Sequence, residues 1–307
     1  MHLPATTPPA PVRVLRLLGV LLALSTALGV WFAVHTPVRA AAAAHYPAQA
    51  VGNDISFPQC GHSYPDDPAF GIVGITGGRA FTGNPCFASE FAWARRAGSH
   101  ASVYLNVNYA RPEYQSFGAH ALQGPAGACE PAQNPCTAYN YGWNAAADAV
   151  ARAADAGAEP AMWWLDVETV NYWADSPRLA LNARVIEAAL DMLRSRGMSA
   201  GIYSINEMWA RIPGRDYRPG VPVWYAETDP AAGYPSAPHY CDPAYAFTGG
   251  AVWLVQWSDS VDHDYACRVT APPPPPPAPG GCLLPKPVPV CLVQSAPSPL
   301  PQPHREP

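Results

Sequence analysis

The sequence has almost no lysine and little positive charge of any kind. Its 307 residues include 18 Lys and Arg against 23 Asp and Glu, and the single lysine is Lys286. Chemistry that depends on a lysine amine, such as Schiff-base formation or a Walker A phosphate loop, is therefore excluded from the rest of the chain. The net charge of −5 also argues against nucleic-acid binding, which needs clustered positive charge.

The first 44 residues differ in composition from the rest of the chain. Arg13 and Arg16 precede a long apolar stretch, which ends in an alanine run. This order is typical of a secretory signal peptide, with cleavage expected after Ala40 or Ala44. An uncleaved membrane anchor is the alternative, because the apolar stretch is just long enough to cross a bilayer. We expect a secreted or cell-envelope protein that does not contact the membrane after cleavage.

Residues 271–307 form a second segment of unusual composition. Proline recurs throughout them, beginning with an unbroken run over residues 272–277. Because proline lacks the N–H that helices and central strands need, we predict a disordered tail. Residues 45–270 then remain as a single domain, which is long enough for one large core. We expect this domain to be a monomer.

The chain has eight cysteines, and all of them lie beyond the predicted signal segment. An even count in an exported chain predicts disulfides. No CxxC pair is present, so a zinc site around His239 and Cys241 is the less favoured alternative, and we predict neither a metal nor another cofactor. Pairing of sequence neighbours is the simplest arrangement: Cys60–Cys86, Cys129–Cys136, Cys241–Cys267 and Cys282–Cys291.

Short apolar runs alternate with helical patterns through the middle of the chain. Strands that are apolar on both faces favour a parallel sheet, and about eight of them favour an irregular TIM-like β/α barrel over an open sheet. Residues 111–138 are predicted to form an excursion loop, a long connection that leaves the alternating strands and helices. The predicted strands are 53–57, 71–76, 101–109, 162–168, 201–205, 221–226, 251–256 and 263–269, and the clearest helices are 87–97, 141–156 and one from a Ser176 cap through Pro177 to Gly197.

The run of residues 163–168, Trp-Trp-Leu-Asp-Val-Glu, is the most informative motif. Side chains alternate along a strand, so Asp166 and Glu168 are predicted to point to the same side. No Lys or Arg lies between residues 153 and 177 to neutralise them. Paired acids of this kind carry out acid/base chemistry on glycosidic or phosphate bonds. The alternative is a structural pair that accepts hydrogen bonds from loop N–H groups.

Further polar residues fall at or just after candidate strand ends, where barrel enzymes place their chemistry. Asp54 and Asp262 are candidates of this kind, although Asp54 also fits a turn. Asp262 and Asp264 also fit a solvated loop or a calcium-binding loop together with Asp259. The remaining strand-end candidates are Asn108, Glu227 and Gln256.

Five short elements occur in the order found in glycoside hydrolase family 25. They are residues 52–56 (Gly-Asn-Asp-Ile-Ser), 165–168 (Leu-Asp-Val-Glu), 201–204 (Gly-Ile-Tyr-Ser), 255–257 (Val-Gln-Trp) and 261–262 (Val-Asp). The chain therefore resembles the N-acetylmuramidases, lysozymes built on irregular β/α barrels that cleave the β-1,4 glycan chains of peptidoglycan. It resembles a divergent, actinobacterial-type member, because residues 74–78 and 105–109 depart from the family's usual charged and aromatic elements.

The resemblance implies a role for each acid. Glu168 would be the general acid, and Asp166 would assist the substrate's own 2-acetamido group as it attacks the sugar carbon. Asp54 and Asp262 would orient water and substrate, and the products would retain the anomeric configuration. Flat aromatic faces suit sugar rings, so we expect Tyr172 or Trp173 to stack on the glycan. Further predicted substrate contacts are Trp164, which shares the face of the two acids, Tyr203, Asn108, Glu227 and Gln256.

Two other functions stay open at this point. One is a catalytically silent envelope protein that binds glycan without cutting it, which the departures after the second and third strands favour. The other is a hydrolase that acts on a different polysaccharide. The acidic surface slightly favours both, because anionic wall polymers would repel it.

Overall fold

The computed structural model describes residues 45–98, 101–227 and 233–268. The predicted signal segment, the proline-rich tail and the Cys282–Cys291 pair lie outside the described residues. None of the helices in the described ranges is both long enough and apolar enough to cross a membrane.

Eight strands close into a barrel in sequence order. Neighbouring strands from β1 to β7 are parallel, whereas the last strand, β8, runs antiparallel to both β7 and β1. The irregular TIM-like β/α barrel predicted from the sequence is confirmed. The strands are β1 (Val51–Ile55), β2 (Gly71–Gly74), β3 (Ser102–Asn106), β4 (Trp163–Asp166), β5 (Ala200–Ser204), β6 (Val223–Ala226), β7 (Val252–Ser258) and β8 (Asp262–Ala266).

Helices of unequal length connect the strands in the described part of the chain. The connection between β6 and β7 is made of one short helix and two 3-10 turns, and β7 and β8 are joined by a tight loop. The helices are α1 (Phe87–Arg96), α2 (Gln115–His120), α3 (Pro135–Asp155), α4 (Leu179–Ser195), α5 (Asn206–Arg211) and α6 (Gly233–Ser236).

Two helix boundaries differ from the sequence prediction. Helix α3 begins at Pro135 rather than at residue 141, because the side chain of Asn134 accepts hydrogen bonds from the backbone N–H groups of Cys136 and Thr137 and caps it. Helix α4 begins at Leu179 rather than at Pro177. Its predicted end is confirmed, since Gly197 follows it with a φ of 70°.

Side chains that point into the barrel form a closely packed floor. Ile72, Trp164, Trp224 and Leu254 are buried there, whereas neighbouring positions such as Trp163 pack outward under the helices. Gly201 leaves room for this floor, because a Cβ at that position would lie 2.3 Å from the ring of Trp164. The barrel interior is therefore filled by this layer of side chains.

Three disulfides connect parts of the described chain. They are Cys60–Cys86, Cys129–Cys136 and Cys241–Cys267. These three pairings of sequence neighbours are as predicted. The last of them ties the connection between β6 and β7 to the residue after β8, so it closes the barrel covalently beside its final strand.

Candidate active site

The two acids of the central motif lie at the carboxyl end of β4. Asp166 is the last residue of the strand and is buried, and Glu168 follows two residues later with partial exposure. Their carboxyl groups lie close to each other, since each shifts the pKa of the other. The prediction that both side chains point to the same side is confirmed.

Asn106 at the end of β3 holds Asp166 in place. The two residues lie directly opposite each other in the β3–β4 register, and the Nδ2 of Asn106 donates a hydrogen bond to the Oδ2 of Asp166. The hydroxyl of Thr76 donates to the Oδ1 of Asn106 at 2.5 Å, which fixes the orientation of the amide. Asn106 was not a candidate from the sequence, although its position at a strand end is the signal that identified the other polar residues.

Asp54 and Asp262 occupy the opposite wall of the mouth. They lie directly across from each other where β1 pairs with β8. The Nε2 of Gln256 donates to the Oδ2 of Asp54 at 2.8 Å, and the hydroxyl of Tyr203 donates to the Oε1 of Gln256 at 2.7 Å. Both acids belong to strands, so the turn alternative for Asp54 and the solvated-loop alternative for Asp262 are wrong.

The four acids converge on one pocket around Tyr203. Burial raises the pKa of the Tyr203 hydroxyl well above its usual range, and the charges of the four carboxyl groups raise it further. Tyr203 lies opposite Asp166 in the β4–β5 register, and its hydroxyl bonds to Gln256, which in turn bonds to Asp54. The acids that raise the pKa of Tyr203 are Glu168, Asp166, Asp54 and Asp262.

The acids on the two sides of the pocket have raised pKa values for related reasons. Burial and then repulsion from Glu168 raise the pKa of Asp166 well above its usual range. Burial also raises the pKa of Glu168, and the hydrogen bond with Asp166 opposes that rise. Burial and then repulsion from Asp262 raise the pKa of Asp54. Because two close carboxylates resist ionising together, the pair of Asp166 and Glu168 loses its first proton more easily than its second.

Asp264 is a fifth carboxyl group inside the barrel. It lies on β8 opposite Gly52 and Gln256, one inward position below Asp262, with 0% exposure. Burial and then the charges of Asp54 and Asp262 raise its pKa well above the usual range. The loop interpretation of Asp264 is wrong. Period-two alternation from Asp262 along a strand is the signal that would have placed it on the inner face.

Replacing Asp264 by asparagine is expected to flatten the pH dependence of stability. A carboxyl whose pKa is raised by folding stabilises the protein fully below its ordinary value of 3.8. That stability is lost as the pH rises through the higher folded value. We expect the melting temperature of the wild type to fall between pH 4 and pH 8 by more than that of Asp264→Asn.

Calorimetric scans over that pH range check this expectation. Asp216→Asn is the matched control, because Asp216 is exposed and its removal should leave the wild-type slope unchanged. Parallel curves for the wild type and Asp264→Asn would show that Asp264 is not held protonated.

The predicted substrate contacts fall into two groups. Tyr203 and Gln256 line the pocket beside the acids, and Tyr172 is 51% exposed in the loop after β4. Trp164 shares the inward face of the acids as predicted, but it is 0% exposed in the floor and donates to the hydroxyl of Tyr46 at 2.9 Å. Trp164 is therefore not a surface that a glycan reaches, and its assignment as a substrate contact is wrong.

The other predicted contacts hold loops around the pocket. The indole of Trp173 donates to the backbone oxygen of Glu168 at 2.8 Å, so it fastens the loop that carries the acid. Asn108 is buried, accepts from the backbone N–H of Ala80 at 3.0 Å and donates to the hydroxyl of Tyr141 at 3.2 Å. The backbone N–H of Glu227 donates to the backbone oxygen of Gln256 at 2.8 Å.

No group of three or more His, Cys, Asp or Glu side chains is arranged to hold a metal ion within residues 45–98, 101–227 and 233–268. The four acids at the barrel mouth are arranged as two facing pairs, one on β4 and its following loop and one across the β1–β8 pairing.

Comparison with known proteins places part of the chain in context. The sequence model of a family described as "Lysozyme-like protein 1" matches residues 133–243. The chain is similar to lysozyme-like proteins. The matched range contains β4 with both of its acids, and it contains Tyr203. Asp54, Gln256 and Asp262 lie outside it, so the opposite wall of the pocket is assigned from the structure alone. No curated protein matches the chain at a significant level.

The chain is also similar to several solved structures at low sequence identity. The modular autolysin LytC from Streptococcus pneumoniae is 16% identical, with a TM-score of 0.47 over 70% of this chain, which spans 46% of the autolysin chain. A muramidase from Trichobolus zukalii is 17% identical, with a TM-score of 0.43 over 71% of this chain and 93% of its own. A family GH25 lysozyme from Aspergillus fumigatus is 15% identical, with a TM-score of 0.37 over the same shares.

Proposed function

We propose that the protein is a secreted glycoside hydrolase that cleaves the glycan chains of peptidoglycan. The observation that carries the proposal is the pair of Asp166 and Glu168 at the carboxyl end of β4. Asn106 and Tyr203 lie on either side of Asp166 in the sheet, and Tyr203 is joined to Asp54 through Gln256. A pair that keeps one shared proton provides what a general acid needs. The lysozyme-like match over residues 133–243 supports the choice of substrate. Three disulfides support an oxidising compartment.

Glu168 is the proton donor in this mechanism. It is the more exposed member of the pair, so it meets the oxygen of the scissile bond, whereas Asp166 lies deeper. In the free pocket Asp166 donates the shared proton to Glu168. An acetamido N–H of the substrate that binds Asp166 favours its ionised form, and the proton passes to Glu168. Substrate binding would thereby produce the acid that the reaction uses.

Asp166 then acts on the substrate's own acetamido group. The ionised carboxylate accepts a hydrogen bond from the N–H, so the acetamido oxygen becomes a better nucleophile towards the sugar carbon. Asn106 keeps Asp166 pointing at this position. Attack by the acetamido oxygen and later attack by water are two successive displacements at the same sugar carbon, and each inverts it. We therefore expect retention of the anomeric configuration.

Asp54 and Asp262 serve the second half of the reaction. The water that opens the cyclic intermediate gives its proton to the Glu168 carboxylate, which lost one in the first step, and it needs a fixed position. Asp54 is held by Gln256, and Gln256 is held in turn by Tyr203. This chain of hydrogen bonds spans the pocket from β5 to β1, so it fixes the wall opposite the acid pair. Asp262 faces Asp54 across the strand pairing and orients the same water or the substrate.

The test is release of fragments from purified cell walls by the full protein. We expect new reducing ends at some pH between 4 and 8, with wall binding measured in parallel by sedimentation. Binding without new reducing ends at any pH would contradict the enzymatic proposal and support a silent glycan-binding protein. Release from another polysaccharide only would identify a hydrolase of different substrate range.

A further inference from the structure

A groove adjoins the pocket on the side of β3 and β4. It has a volume of about 510 Å³, within the range of small-molecule sites. The loop after β2, the end of β3 and helix α2 form its walls, and Tyr172 from the loop after β4 closes it. Helix α2 belongs to the excursion of residues 111–138, so this groove is built by a segment that the barrel itself does not require.

The groove is continuous with the catalytic loop. Tyr172 lies four residues after Glu168, and its backbone oxygen accepts a hydrogen bond from the N–H of Tyr109 at 2.8 Å. Asn108, which lines the groove, joins the loop at Ala80 to Tyr141. A ligand in the groove therefore contacts the loop that follows Glu168.

One wall is held in a fixed conformation. Phe81 has a φ of 61°, in the left-handed region that bulky residues rarely adopt because it is strained. Its ring stacks on His120 with centroids 3.6 Å apart and meets Tyr141 edge-on at 5.0 Å. These contacts offset the strain, so the groove exists before a ligand arrives.

Two tyrosine rings face solvent at the groove. Tyr114 is 37% exposed and Tyr172 is 51% exposed, and their centroids lie 5.2 Å apart. Only five large hydrophobic side chains are that exposed in the described part of the chain, and two of them meet here. Exposed, adjacent aromatic faces are suited to the apolar face of a pyranose ring.

Two arginines add positive charge to an otherwise acidic protein. Arg79 lines the groove, and the guanidinium of Arg111 lies 5.4 Å from the ring centre of Tyr172. Within the described ranges neither forms an ion pair, whereas Arg152, Arg184 and Arg194 all do. A guanidinium beside an aromatic ring and without an acidic partner is well placed to bind a carboxylate through two hydrogen bonds.

We propose that the groove is a subsite for a sugar ring bearing a carboxylate, in which Tyr114 and Tyr172 contact the ring and Arg79 and Arg111 bind the acid. This proposal rests on the proposed glycan substrate and specifies which unit of it is recognised. The carboxylate comes either from the lactyl ether of a peptide-free muramic acid or from an attached stem peptide.

The test is the dissociation constant measured by calorimetry in the Glu168→Gln background, which does not turn over the ligand. The probes are chitohexaose, peptide-free peptidoglycan strands, and strands that keep their stem peptides. We expect the double variant Arg79→Ala/Arg111→Ala to bind at least one of the two anionic probes, the peptide-free strands or the strands with stem peptides, about thirtyfold more weakly. Chitohexaose binding should change less than about twofold, since neutral sugars have no charge for the arginines.

Control variants keep the result interpretable. Arg95→Ala removes an exposed arginine from the last turn of α1, at the opposite end of the barrel, and should change nothing. Tyr114→Phe should bind like the parent, whereas Tyr114→Ala should weaken all three probes. The anionic probe that is affected identifies the source of the carboxylate.

Two outcomes would overturn the subsite. One is an equal loss for chitohexaose and the anionic strands, and the other is unchanged binding of both anionic strands to the arginine double variant. Because these are binding measurements, they stand even if the wild type cuts no glycan, so failure of the subsite and failure of the enzymatic proposal are separable.

Discussion

Replacing Glu168 by glutamine is expected to reduce glycan cleavage by about three orders of magnitude, the scale of a lost general acid. Glutamine has nearly the same shape but cannot give a proton to the leaving oxygen. It keeps a hydrogen-bonding amide beside Asp166, so the pocket should keep its structure. The measurement is the rate of reducing-end formation from cell walls at the wild type's optimum pH, with wall binding and melting temperature recorded alongside.

Glu159→Gln is the matched control for this substitution. Glu159 is exposed and precedes β4, so it lies at the end of the barrel opposite the pocket. Its replacement should leave both the rate and the stability unchanged. Cleavage by Glu168→Gln within a few-fold of the wild type would contradict the assignment of Glu168 as the acid.

Replacing Gly142 by alanine is expected to destabilise the fold by about 3 kcal/mol, the upper range for overpacking. Gly142 lies where α3 packs on α4, and an added Cβ would be 2.0 Å from the backbone oxygen of Val185. The nearest atoms all belong to backbone, so no side chain can rotate away and the two helices must separate. A loss of this size lowers the melting temperature by about 10 °C in a domain of this length.

The control for Gly142→Ala is the same substitution at Gly118 in α2. No atom lies within 4 Å of a Cβ built there, so alanine should stabilise that helix by about 0.5–1 kcal/mol through its better helix propensity. Melting curves of the two variants separate the steric effect from the propensity effect. A Gly142→Ala protein as stable as the wild type would show that the two helices are not in close backbone contact.

Much of the fold follows from local patterns that the sequence carries. The apolar runs predicted eight strands, and pairing of cysteine neighbours predicted the three disulfides seen in the structure, because both depend on residues close in the chain. The antiparallel direction of β8 was missed, although the loop between β7 and β8 is too short for the crossover that parallel strands need. The start of α3 was missed because its cap, Asn134, lies inside a segment rich in Gly, Pro and Cys.

Only the part of the candidate site that depends on local sequence patterns could be predicted. Alternation along β4 placed Asp166 and Glu168 together, since it depends on a single strand. The role of Asn106 depends on the register between β3 and β4, which a single sequence does not specify. Trp164 was assigned wrongly because alternation gives the face of a side chain but not its depth. The groove at α2 depends on packing between three separate loops, which no local pattern indicates.

The most direct test of the account is a crystal structure of the Glu168→Gln protein with an oligosaccharide of alternating N-acetylglucosamine and N-acetylmuramic acid. The account predicts one sugar ring between Asp54 and residue 168, with its acetamido N–H bonded to Asp166 and the scissile oxygen facing the glutamine amide. A glycan bound elsewhere on the barrel, or one whose scissile oxygen lies out of hydrogen-bond reach of residue 168, would contradict it.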